Sequence, residues 1–177
     1  MHLILDVRPR EAADPLVGRW LAYLAQARER TLSMLEGLDE AALHWTSPEH
    51  PNSVGTLLYH VAAIELDWLY AEILGQPIPS EVREHLPFEV SDEAGRLTPV
   101  NSWDISQYSG LLERSYVLLE NTLITLDEGE FLRTRVLPDY SVTPEWVCLH
   151  LLQHEASHRG QMARVLVARV KSEKNKV

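Results

Sequence analysis

The chain has 177 residues, 45% hydrophobic and 24% charged, and its 16 basic against 26 acidic side chains give a formal net charge of -10. Such a composition suits one soluble globular domain, and it excludes intrinsic disorder, collagen-like repeats and low-complexity segments. It also argues against a protein that tracks a phosphate backbone, which needs clustered Lys and Arg; only the tail from Lys171 to Lys176 is basic.

Near the N-terminus, Asp6, Arg8, Pro9 and Arg10 interrupt the apolar run a signal peptide would need. Asp14 and Pro15 then form a cap-plus-proline pair, and Leu16, Trp20, Leu24, Ala27, Leu32 and Leu35 follow at helical spacing until Gly37. Ser53 caps a second predicted helix, whose stripe runs Leu57, His60, Val61, Ile64, Trp68 and Leu69 before Gly75 and Pro77 stop it. The stretch from Leu57 to Leu74 approaches the length of a membrane span, but His60, Glu65, Asp67 and Glu72 are too costly in a bilayer core. From Gly75 to about Trp103 the prolines Pro77, Pro79, Pro87 and Pro99 break any period, which predicts a long connection.

A third helix is expected from Asp104 or Ser106, with Tyr108, Leu111, Leu112, Ser115, Leu118, Leu119, Thr122 and Leu126 on one side. Thr143 and Pro144 repeat the cap-plus-proline signal and open a fourth helix to about Lys171, its face carrying Val147, His150, Leu151, His154, His158, Met162, Val165 and Leu166. Four amphipathic helices without a convincing strand ladder predict an all-α four-helix bundle, a single domain over residues 1–177 with a long connection between its second and third helices. The single cysteine, Cys148, allows no internal disulfide, and with no export signal the expected location is the cytoplasm.

His154 and His158 stand four residues apart, about 6 Å along a helix axis and rotated by about 40°, so that two imidazoles can share one cation. A lone histidine in an apolar stripe is most simply a core residue bonded to a backbone carbonyl. Two on one core-facing stripe need several partners where partners are scarce, and a metal ion satisfies both at once. The string His154-Glu155-Ala156-Ser157-His158 also matches H-E-x-x-H, the zinc-protease signature. The 19 residues beyond His158 offer no histidine or aspartate as a third ligand, and Glu173 lies in the lysine-rich tail, so this rival is the weaker one. His60, on the core stripe of the second helix, is the best third ligand.

The words around these histidines carry a resemblance. Asn52-Ser53-Val54-Gly55-Thr56-Leu57-Leu58-Tyr59-His60-Val61-Ala62 and His154-Glu155-Ala156-Ser157-His158-Arg159-Gly160-Gln161 look like the second-helix and fourth-helix motifs of the DinB/YfiT-like metalloenzymes, four-helix bundles with a metal held by three histidines. The resemblance places the metal ligands on His60, His154 and His158, accounts for the long crossover, and implies a homodimer. It implies no DNA contact, and the acidic chain gives no reason to expect nucleic acid or membrane as partner.

Around the site, His150 reads as a fourth ligand, a base behind the ligands or a plain polar group one turn before His154. Glu155 points roughly 100° from His154, which favours a solvated or supporting role over ligation. Asp67 reads as solvated at the bundle end, with a lining of the same cavity as the alternative, Cys148 as a buried thiol, and Arg159 and Gln161 as matches to the motif or plain surface or interface residues; the five tryptophans read as core or dimer interface. Gly160, inside a helix, suggests close packing or room for a ligand.

Three neutral imidazoles leave a divalent ion its charge and an open position, the arrangement of catalytic zinc sites. Water there would yield a hydroxide for hydrolysis, and a small thiol a thiolate able to attack an electrophilic carbon. Thiol-dependent transferases and isomerases among the wider relatives tilt the expectation toward thiol transfer to a small-molecule substrate, with zinc or nickel as the metal. A metal-dependent hydrolase and a non-catalytic, metal-stapled bundle are the alternatives.

Overall fold

The computed structural model describes residues 6–175 and is predominantly helical. Four long helices dominate: α1 (Pro15–Ser33), α3 (Val54–Trp68), α5 (Ile105–Leu123) and α7 (Pro144–Lys174), with short helices α2 (Glu40–Leu43), α4 (Ser80–Arg83) and α6 (Glu128–Leu132) between them. Each long helix starts where a side-chain oxygen takes up an orphan amide: Asp14 accepts from the Leu16 N–H, Ser53 from Thr56, and Thr143 from Trp146. At α5, Asp104 and Gln107 close a reciprocal capping box. α1 is shorter than the periodicity predicts, because the chain leaves the helix after Ser33 and Gly37 adopts a φ of 75° in the following turn. α3 continues into a π-helical segment, Leu69–Leu74, that ends at Gly75 with φ 64°.

α3 packs against α5 and α7, and α1 packs against the same two helices. Their shared interior is filled by Leu21, Leu57, Leu58, Leu66, Tyr108, Leu112 and Leu119, all fully buried. The only paired strands among the described residues are β1 (Arg135–Val136) and β2 (Ser141–Val142), a two-residue antiparallel pair with Arg135 opposite Val142. None of the described helices is long and apolar enough to cross a membrane.

The connection after Gly75 is tied down by phenols. The Tyr59 hydroxyl donates to the Phe88 carbonyl at 2.6 Å and accepts from the Phe88 N–H at 3.0 Å. Tyr108 donates to the Val100 carbonyl at 2.6 Å, and the Val100 N–H donates to Thr56 Oγ1 at 3.1 Å. Thus a segment with no period of its own is held by side chains of α3 and α5.

Arg28 of α1 carries a charge deep in the interior, 4% exposed. Its guanidinium donates to Glu65 of α3, to both carboxylate oxygens of Glu155 of α7 at 3.1 and 3.2 Å, and to the Leu112 carbonyl of α5. Burial, more than the neighbouring Glu155 charge, pushes the Glu65 carboxyl up to about 7 against the pull of Arg28.

Three substitutions test this packing. Arg28→Met is expected to lower unfolding free energy by about 3–5 kcal/mol in denaturant titrations at pH 7, since it strands two buried carboxylates. With the pull of Arg28 gone, the folded-state pKa of Glu65 rises further above its unfolded value, so protonation favours the folded variant and the deficit grows as the pH rises above 7. Gly55→Ala is expected to cost about 1–3 kcal/mol by the same measurement, because its Cβ would meet the Tyr108 hydroxyl at 2.5 Å. Gly110→Ala, in α5 with nothing within 4 Å, should instead stabilise by about 0.5–1 kcal/mol.

Candidate metal centre

α3 and α7 pack with their histidine-bearing faces toward each other, so three imidazoles meet in the helix interface. His154 Nε2 lies 3.1 Å from His60 Nε2 and 3.1 Å from His158 Nε2. The three residues each offer one donor nitrogen to a group in which all such atoms lie within 4.8 Å of one another. All three are half-buried. A single proton can be shared by one pair of nitrogens, but His154 Nε2 faces two partners at once, and a cation is what serves three inward lone pairs together. Nitrogens about 2.0–2.1 Å from one tetrahedral zinc ion lie about 3.3 Å apart, close to the spacing here, so the residues fit a shared divalent ion.

The electrostatics favour the neutral, ligating form of each ring. Burial lowers the His154 pKa to about 3, assisted by the charges its neighbours His158, His60 and His150 would carry. Burial likewise lowers His60 to about 4, with His158 adding to it, and holds His158 below its ordinary value. His158 Nδ1 lies 3.2 Å from Gln161 Oε1; with Nδ1–H donating there, the Nε2 lone pair is left facing the centre. His60 Nδ1 is buried without a hydrogen-bond partner.

The neighbours sort themselves around this core. Glu155, of the H-E-x-x-H string, is buried and gripped by Arg28, so it is neither solvated nor free to act as the base of a zinc protease. Asp67 is exposed. His150 does not join the donor group: its ring lies 4.2 Å from the Trp68 ring and stacks on Trp146 at 5.4 Å and 5°, 5.7 Å from His154. Cys148 is fully buried and its thiol is pushed up by that burial. Arg159 donates to the Ala27 carbonyl at 3.2 Å, fastening α7 to α1. A Cβ on Gly160 would meet only Arg164 Nη1 at 4.0 Å, so close packing within this chain does not explain the glycine.

The sequence motifs therefore locate the three histidines, whereas the Arg28 network and the Trp68–His150–Trp146 stack come from the structure. The stack had a partial signal in the four-residue spacing of Trp146 and His150; the Arg28 network had none, because its partners lie 37 and 127 residues away.

Comparison with known proteins agrees with this architecture. The chain is similar in fold to a solved structure described as a conserved protein from Enterococcus faecalis, with a TM-score of 0.63 and 20% sequence identity over 83% of this chain and 92% of that one. No curated protein matches the chain. The family model of the DinB superfamily matches residues 23–162, a span that includes His60, His154 and His158. On that match, carried over most of the chain and through every histidine of the triad, the protein belongs to the DinB superfamily.

Proposed function

We propose that the chain is a four-helix-bundle enzyme in which His60, His154 and His158 hold a divalent metal ion, zinc or nickel, that activates a small thiol for transfer to an electrophilic carbon. The observation that carries the reading is the convergence of three imidazoles on helices that pack face to face, His154 Nε2 lying 3.1 Å from each of the other two Nε2 atoms. A divalent ion bound there supplies Lewis acidity, which lowers the pKa of a thiol so that the thiolate is available near neutral pH.

The rest is the work of the chain's own residues. Burial keeps the three imidazoles neutral, so the ion keeps its full charge toward the substrate. Gln161 fixes the ring orientation of His158. Arg28 keeps the Glu155 carboxylate turned away from the centre, which removes the one side chain beside His154 that would compete for the ion or act as a base on water. Family membership supports metal binding; the thiol chemistry is inferred from the open position that three neutral ligands leave.

Elemental analysis of untagged protein is expected to find close to one transition metal per chain, lost in both His60→Ala and His154→Ala; retention of full metal content in a His154→Ala/His158→Ala double variant would sink the site. Metal-loaded protein, given a panel of small thiols and an activated aryl halide, is expected to consume thiol with formation of the C–S bond and release of halide. Consumption equal to that of the His60→Ala variant would reject the thiol reading, and turnover of ester or amide probes without thiol would turn it into hydrolysis.

A further inference from the structure

Across His150 from the histidine triad lies a cavity of about 490 Å³, lined by Trp68, Tyr140, Ser141, Val142 and Trp146. That volume belongs to small-molecule pockets. Trp68 stands 5.5 Å from Trp146 and 6.4 Å from Tyr140, ring centre to ring centre, so three π faces border one space. Trp146 is 48% exposed, an unusual position for an indole, and it is held there by Trp68 and by His150 stacked at 5.4 Å. His150, against Trp68 on one side and 5.7 Å from His154 on the other, makes the cavity wall and the triad one continuous stack.

The unpaired charge around the cavity is of one sign. Glu72, 7% exposed, accepts from the Tyr140 hydroxyl through Oε1 at 2.6 Å, while its Oε2 is buried with no hydrogen-bond partner. Among the described residues neither Glu72 nor Asp67 has an ion-pair partner, and Arg135, whose Nε reaches the Ile73 carbonyl at 3.4 Å, is paired with Glu130. The hydrogen bond to Glu72, together with burial and the charges of Glu72, Asp67 and Asp139, pushes the Tyr140 phenol up to about 12. Burial and Asp67 both push the Glu72 carboxyl up as well. A buried carboxylate oxygen without a counter-charge, behind a cage of aromatic faces, is a site made for a cation.

We propose that the Trp68, Tyr140 and Trp146 cage, backed by Glu72, takes an alkylammonium group of the substrate that reacts at the histidine triad. This assignment rests on the metal-centre reading above for its reaction, though not for its binding. The aromatic faces attract the positive charge through their quadrupoles, Glu72 supplies the missing counter-charge, and His150 bridges Trp68 of the cage wall to His154.

The test uses the full chain and two isosteric probes, choline and the neutral 3,3-dimethylbutan-1-ol, followed by isothermal titration. Choline is expected to bind about tenfold more tightly than its neutral isostere, and that preference should vanish in Trp146→Leu, at an exposed position, and in Glu72→Gln, which keeps the shape of the carboxylate. Equal binding of the two probes, absence of choline binding, or a preference untouched by both substitutions would overturn the proposal. So would a second copy of the chain occupying the cage, seen as a dimer that Trp146→Leu dissociates. Choline binding that persists in the His60→Ala/His154→Ala double variant would show the cage standing even if the triad holds no metal. In cobalt-loaded protein, choline should shift the visible absorption of the ion; binding with an unchanged spectrum would sever the cage from the centre and reject it as a substrate subsite.

Discussion

A single buried guanidinium joins all four long helices. Arg28 of α1 reaches Glu65 of α3, Glu155 of α7 and a backbone carbonyl of α5, and no other side chain described here touches as many elements with charged bonds. Two carboxylates against one guanidinium would be a poor exchange for apolar packing on energy alone. What the arrangement does is fix direction: Glu65 lies five residues from His60 and Glu155 next to His154, so orienting the two acids also orients the helical faces that carry the histidines.

That constraint explains how one short string can read like a protease while its glutamate is held elsewhere. H-E-x-x-H puts a glutamate beside a metal ligand, and only its rotation about the helix decides whether it meets the reacting water or the interior. Here it meets Arg28. The three histidines are left as neutral donors with no free carboxylate among them.

The long helices were legible because their signals are local. Asp14, Ser53, Asp104 and Thr143 each cap within three residues, and the apolar stripes repeat over enough turns to be recognised. The short helices α2, α4 and α6, four or five residues each, are too brief to show a period. The triad was legible because its members stand at a helical repeat or in a recognisable motif. The Arg28 network and the cage of Trp68, Tyr140 and Trp146 were not, since they join residues whose sequence separations run from 37 to 127 and from 6 to 78 with no local spacing to announce them. Glu155 shows the limit most clearly: its angle on the helix was readable, but whether that direction led to water or to an arginine depended on α1.

The π-helical segment from Leu69 to Leu74 carries a consequence for how this architecture can vary. A residue gained or lost there rotates everything beyond it by about 100° around the helix, yet leaves the phase of His60, more than two turns upstream, untouched. Glu72 lies within the segment and His60 outside it. The chain thereby has a point at which a length change of one residue would redraw the acidic backing of the aromatic cage while the three histidines keep their places, so the cage and the triad can diverge separately.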